Sequence, residues 1–473
     1  MTSKIAVKTL IDEVCIEYKK CWSTLIGLKD FSVFSDEGFL NFQPNLASAL
    51  FRLGEMYCAL STERTKLIAK KKRLSTEWFK KRLRSIAAYQ HTIKEVINLG
   101  KALGDSFAWA FYRNDRDFLE KHFQHPQNLH IPTGIGGRGE LEFIRNVKSI
   151  QGQMVLYHGI TTFLRIGDVS LIDLEKDRVT AIGELKSKMT EPNRIYVGMY
   201  FGGPNLDQIM PPSVSGANSI KFSNVLTPEI EKNLWKQLDR IGDSFDIRKA
   251  DKKMEYRDDT QIDALCRLAK KLESGSGGYE RAGDGLLLIG IRNTKAKSLS
   301  SKFLMSPKSV ARFRAYLNKR FPDLVDQARS LIDRGQVNTS TNANSFFTGH
   351  LTPYAMLGAM PLFWRSIPID FLRKIFFREV TVNVIYNPAH LIRRLRELGY
   401  EVELVDNGRR HRVSKRVGNN IIEVTGMEYF EKLITYYLMH EDAIIEMFSE
   451  ILRQAEAGEV QPYSKIDLRM QQH

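Results

Sequence analysis

The chain has 473 residues, 43% of them hydrophobic, which is enough for two to four domains that each bury a core. Seventy lysines and arginines against 55 aspartates and glutamates give a formal net charge of +15 and a pI near 9.4, a balance that favours a polyanionic partner, nucleic acid first. No apolar run approaches the roughly 20 residues that span a bilayer, no apolar secretory leader is evident, and Cys15, Cys21, Cys58 and Cys266 form no Cys-x-x-Cys pair, so a cytoplasmic protein with no membrane segment is expected.

Residues 1–125 read as mostly helical, with apolar side chains at helical spacing through 10–25, 47–60 and 78–111. Between Arg64 and Arg84 ten basic residues face a single acid, Glu77, with Trp78 and Phe79 among them. This is either a solvated helix face with an aromatic anchor or a phosphate-contacting surface built on Lys70, Lys71, Lys72 and Arg73. Residues 125–139 contain Pro126, Pro132 and four glycines and read as a linker. A helix carrying Glu140 is expected from near Arg138 through Val147, followed by a strand over 153–166 bent at Gly159.

Residues 167–188 follow, and they concentrate the chemistry. Asp168 opens one strand, Glu-Lys-Asp-Arg at 175–178 has turn chemistry, and 179–186 is a β-rich run ending in Glu184-Leu185-Lys186. Side chains alternate along a strand, so Glu184 and Lys186 share a face while Leu185 turns to the core. If the hairpin brings Asp168 to the same end, two carboxylates can hold Mg²⁺ beside a lysine. Glu-x-Lys alone carries little, since Glu17-Tyr18-Lys19 repeats it in an apparent helix, and Gly-Asp recurs at 104–105, 242–243 and 283–284. The conjunction on adjacent strands is what counts, because a carboxylate ending an apolar strand is costly to desolvate unless a cation meets it.

A long polar stretch with Pro192, Pro204, Pro211 and Pro212 comes next, with a strand at 195–201 and a helix starting at Pro228. Helix 259–273 and an apolar strand at 286–291 complete the run. Beyond it a helix is expected over 306–334. From Glu379 a second α/β unit follows: strand 380–386, helix 388–398, strands 400–405, 409–416 and 421–424, and a helical end over 427–456. Arg409, Arg410 and Arg412 lie on its basic strand, either as phosphate contacts or as a charged edge.

In order, residues 138–292 give helix, three strands, insertion, helix and strand. With Glu140, Asp168, Glu184 and Lys186 in their places, this resembles the PD-(D/E)XK, or restriction-endonuclease-like, nuclease superfamily, whose core is αβββαβ; Gly167-Asp168 stands where that family has Pro-Asp. The resemblance covers about a third of the chain. It implies a nuclease core over 126–295 with an insertion at 189–257; with the flanking elements read above, a mixed, multidomain fold (α+β or α/β) is expected, with a helical region 1–125 before that core, a helical region 296–378 after it and a C-terminal α/β module 379–473. It also implies Mg²⁺ (or Mn²⁺) held by Glu140, Asp168, Glu184 and the carbonyl of Leu185, with Lys186 beside the attacking water. Gln261 would touch the water or phosphate, or else be a solvent-exposed helix-start residue.

The implied activity is metal-dependent hydrolysis of phosphodiesters by an endonuclease, with DNA favoured over RNA. A role in restriction or phage defence, with a second copy or a defence-system protein as partner, follows from the resemblance alone. The alternative is a non-catalytic sensor or scaffold that binds nucleic acid or protein. Two other motifs compete: the glycine-rich Thr133 to Gly139, which lacks the Gly-Lys-Ser/Thr of a P-loop, and His122, His125 and His130, which lack a completing ligand pair.

Overall fold

Apolar side chains at three- and four-residue spacing from Val7 to Leu28 form the buried stripe of a first helix, α1 (Lys4–Lys29). Two longer helices follow, α2 (Glu37–Ala69) and α3 (Thr76–Tyr112). The computed structural model describes residues 4–29, 37–112, 115, 119, 122, 134–150, 152–176, 178–191, 194–202, 261–283, 285–293, 347–350, 361–405, 410–417, 420–424, 427–456 and 468–472. These fall into two compact units: 4–202 with 361–364, and 261–293 with 347–350 and 365–472.

In the first unit α2 and α3 form an antiparallel hairpin, tied where Arg82 Nε donates to Glu63 (2.9 Å) and Gln90 Nε2 to Ser61 Oγ (2.8 Å). Phe42 stacks on Phe107 with ring centroids 4.2 Å apart, and Phe39 and Phe111 close the same cluster. From Leu99 to Tyr112 every residue of α3 but Ala110 is buried. Gly104 lies directly under the Ile160 carbonyl, and Asp105 accepts from the backbone N–H and hydroxyl of Thr162 at 2.6 and 2.8 Å.

That end of α3 meets a five-stranded antiparallel meander: β1 (Ser149–Ile150), β2 (Gln153–Tyr157), β3 (Val169–Asp173), β4 (Arg178–Glu191) and β5 (Arg194–Gly202), in that order. The β3–β4 turn is set by Asp173, whose Oδ1 accepts from the N–H groups of Glu175 and Lys176, both at 3.1 Å. Helix α4 (Ile135–Asn146) lies on β4 and β5, burying Gly137, Gly139, Glu140, Leu141, Phe143 and Ile144. It starts three residues ahead of the sequence expectation, because Gly136, Gly137 and Gly139 form its first turns and two of them are buried. Strand β2 is shorter than expected: the chain leaves it at His158 in a single 3-10 turn.

The second unit holds two four-stranded antiparallel sheets. One runs β6 (Gly277–Ala282), β7 (Leu286–Arg292), β9 (Val380–Tyr386), β8 (Phe347–His350); the other runs β10 (Glu401–Val405), β11 (Arg410–Val417), β12 (Asn420–Val424), β13 (Leu468–Gln472). Helix α5 (Ile262–Ser274) covers β6 and β7, α6 (Ile369–Phe376) leads into β9, and α7 (Ala389–Glu397) joins β9 to β10. Helices α8 (Met427–Tyr437) and α9 (Glu441–Glu456) are separated at Leu438, whose φ is +56°.

This corrects the expected domain division. The strand expected over 286–291 as the last of the nuclease core is β7, which pairs with β6 and β9 and not with the five-stranded sheet, and α5 goes with it. The reason lies in β7: six of its seven residues are buried, so it needs a partner on each edge, and β9 supplies a matching seven-residue run. Residues 361–364 group with the first unit and 365 onward with the second, which also divides the region expected over 296–378. The helices expected at 228 and over 306–334 lie outside the described residues.

Candidate active site

Three elements of the first unit converge on the acidic residues. Asp168 immediately precedes β3 and is held by backbone on both sides: its N–H donates to the Gly183 carbonyl (2.8 Å) and its carbonyl accepts from His158 N–H (2.8 Å). β3 and β4 are antiparallel neighbours, Val169 opposite Gly183, so Asp168 faces the Glu184–Lys186 stretch of β4. The Asp168 carboxylate accepts from the Leu185 N–H at 2.7 Å. In an antiparallel strand the N–H and C=O of one residue point to the same lateral side, so the Leu185 carbonyl also faces Asp168. Gly167, at φ +67°, makes the sharp entry; a Cβ there would meet Ile182 Cγ2 at 2.5 Å and the Gly183 carbonyl oxygen at 2.8 Å. Proline, fixed near −65°, cannot take this backbone, so glycine before Asp168 is what the turn requires.

Glu184 is buried and its carboxylate accepts from Lys186 Nζ at 2.7 Å, the side-by-side pair the strand alternation predicts. Glu140, buried on α4, accepts from the Tyr157 hydroxyl. Burial pushes the Glu140 carboxyl up to about 7, with the Tyr157 hydrogen bond opposing and the Glu184 charge adding. Asp168 is raised well above the usual carboxylate range by burial, then by Glu184 and Glu140, against the Leu185 hydrogen bond and Lys186. The three carboxylates therefore feel one another, with Lys186 as the opposing charge.

A hydrogen-bonded chain supports this corner from behind. His158 Nδ1 lies 3.1 Å from the Gly167 carbonyl, Nε2 lies 2.6 Å from Ser170 Oγ, and Ser170 Oγ lies 2.5 Å from the Tyr112 hydroxyl of α3. A carbonyl only accepts, so Nδ1 carries the proton, Ser170 donates to Nε2 and Tyr112 donates to Ser170. Burial pulls the His158 ring down to about 4, which keeps it neutral and the tautomer fixed. Sequence reading missed His158, Ser170, Tyr112 and Tyr157. The available signal was Tyr-His closing an otherwise apolar strand, polar groups that must find partners when buried.

The other expected residues lie elsewhere. Lys70 and the 3-10 turn Lys71–Arg73 are exposed at the tip of the α2–α3 hairpin. Arg409 is outside the described residues, Arg410 begins β11, and Arg412 pairs with Glu403 at 2.9 Å across β10–β11. Gln261 belongs to the second unit and is buried, not solvent-exposed: its N–H donates to the Leu438 carbonyl at 2.7 Å, and its side-chain amide has no hydrogen-bond partner among the described residues. His122 Nδ1 accepts from the N–H groups of Arg165 (2.9 Å) and Ile166 (3.1 Å), a structural use; His125 and His130 lie outside the described residues. The glycine-rich run is absorbed into α4 from Ile135 onward.

Among the described residues no three His, Cys, Asp or Glu side chains are drawn together tightly enough to form a finished metal site. Glu184 turns to Lys186, Glu140 to Tyr157 and Asp168 to the Leu185 N–H. As a donor set, three buried, neighbouring carboxylates and an adjacent carbonyl suit a hard divalent cation, whose charge would offset both the burial and the mutual repulsion that raise Glu140 and Asp168. Comparison with family models, with curated proteins and with solved structures returned no match to this chain. No helix among the described residues is long and apolar enough to cross a membrane.

The raised carboxyls predict a pH signature. With its folded pKa near 7 against 4.5 unfolded, Glu140 binds more protons in the native state, so its contribution to stability is full below pH 4.5 and is lost as pH rises through 7. In EDTA, the stability of the wild type relative to Glu140→Gln should fall over that window, by on the order of 3 kcal/mol, as read by denaturant melts. A difference that stays flat with pH would mean that Glu140 is not held protonated. Mg²⁺ or Mn²⁺ should stabilise more as pH rises, because ligands must be deprotonated to bind.

Proposed function

We propose that the first unit is a metal-dependent nuclease that hydrolyses phosphodiester bonds, with DNA as the favoured substrate and restriction or phage defence as the setting. The observation that carries the reading is the meeting of Glu140, Asp168, Glu184 and Lys186 at one corner of a helix-backed antiparallel sheet, where burial first, and the neighbouring carboxylates second, raise the Glu140 and Asp168 carboxyls. Glu140, Asp168, Glu184 and the Leu185 carbonyl would hold Mg²⁺ or Mn²⁺, which supplies Lewis acidity and a more acidic water. Lys186, the cation in the cluster, orients the attacking water and offsets negative charge developing on the phosphate in the transition state. Tyr157 holds the Glu140 carboxyl in place, and the Leu185 N–H does the same for Asp168. No covalent nucleophile is required.

A second reading is a binding protein or sensor on a degenerate nuclease-like unit, favoured by the separate engagement of each carboxylate. Incubating the full chain with linear and supercoiled DNA, and with RNA, in Mg²⁺, Mn²⁺ or EDTA separates the two. Cleavage in metal and none in EDTA is the expected result; intact nucleic acid throughout favours the sensor.

A further inference from the structure

Helix α3 meets the sheet through Gly104, Asp105 and Tyr112, all near its C-terminal end. Its N-terminus, Thr76, is a full helix away, about 50 Å along the axis at 1.5 Å per residue. Over 68–85, where α2 and α3 turn into each other, Phe79 is the one buried residue. The same region carries the ten cations between Arg64 and Arg84 against Glu77. Apart from Arg82, which pairs with Glu63, none of them has a carboxylate partner among the described residues. Lys71–Arg73 form a 3-10 turn with no buried side chain, and Ile68 and Trp78 are 50% and 38% exposed. So many like charges repel one another, and over residues 63–84 only Glu63, on Arg82, and Glu77 stand against them.

We infer that the hairpin tip is an outlying anchor for duplex DNA, gripping phosphates about 15 base pairs from the acidic cluster, at 3.4 Å per base pair. The inference rests on the nuclease reading for what happens at the other end, but not for the grip itself. A fixed span favours a duplex. The distance between tip and cluster is fixed by two packed helices, so the partner must keep its own length. Duplex DNA, with a persistence length of about 50 nm, spans that gap at little ordering cost, whereas a single strand must be straightened to reach both.

The test is binding by the full chain in EDTA, by fluorescence anisotropy, to duplexes from about 8 to about 30 base pairs. Wild-type affinity should step up about tenfold once the duplex exceeds about 15 base pairs, when both ends can be engaged. The quadruple variant Lys70→Gln, Lys71→Gln, Lys72→Gln, Arg73→Gln should lose the step, and its log-affinity slope against log salt should shallow by about 3 to 4 for the longer duplexes. All four side chains are exposed, so the fold should survive; the double variant Lys80→Gln, Lys81→Gln, with a shift of about 2 in slope, checks the tip independently. A step that persists in the quadruple variant, a salt slope that the quadruple variant leaves unchanged, or equal affinity for single strands of the same lengths would overturn the inference. Failure of the nuclease reading looks different: the step would be missing from the wild type, yet the quadruple variant would still shallow the salt slope, since the grip at the tip does not depend on the cluster.

Discussion

Lys186→Ala should lower the rate of DNA cleavage by about 10²- to 10³-fold or more while leaving metal binding and folding close to wild type. The Lys186 side chain is partly exposed and pairs with Glu184, so its removal opens no cavity in the core. Its charge acts mainly where negative charge develops, at the barrier, so the loss should appear in kcat. Asp168→Asn and Glu184→Gln should lose metal binding together with activity, because a metal ligand acts already in the ground state. The measurements are steady-state cleavage across a Mn²⁺ titration and calorimetric Mn²⁺ binding. Lys186→Ala with wild-type turnover would place the chemistry on other residues, and wild-type Mn²⁺ affinity in Asp168→Asn would remove Asp168 from the ligand set.

Gly167→Ala should cost about 2–4 kcal/mol of stability and weaken metal binding with it. Part of the cost is the left-handed backbone at φ +67°, roughly 1–2 kcal/mol for a residue with a Cβ. The rest comes from the 2.8 Å approach to the Gly183 carbonyl, a backbone atom that cannot move without dragging β4 and Glu184 with it. Gly152→Ala separates the two: its φ is +78° but nothing lies within 4 Å of the added carbon, so it should show the backbone cost alone. Equal melts for the two variants would show that Asp168 does not depend on the tight entry of Gly167.

The β3–β4 hairpin and the shared face of Glu184 and Lys186 were legible because strand alternation and turn chemistry are local rules. The three N-terminal helices were legible for the same reason, as 3.6-residue periodicity carries through Val7–Leu28 and the interior of α3. What stayed hidden depends on partners distant in sequence. Strand β7 reads equally well as the last strand of one sheet or the centre of another, and only its pairing with Val380–Tyr386 decides. The burial of Gln261 likewise follows from Leu438, far along the chain, whose carbonyl takes the Gln261 N–H. The link from Tyr112 through Ser170 to His158 joins a helix to a sheet and leaves no mark in either local pattern.

The meander has a kinetic consequence. Strands β1 to β5 follow one another in sequence and pair only with their nearest predecessors, and all four residues of the acidic corner come from within 140–186. Each pairing closes a short loop, so the assembly of this corner belongs to the low-contact-order class, in which the entropy of bringing strands together is small at every step. During synthesis the hairpin bearing Asp168 and Glu184 can form as soon as its own residues have emerged, well before Val380–Tyr386, on which the centre of the other unit's sheet depends, has been made. The corner can thus be organised early, while β7 still waits for the second of its two edges to be filled.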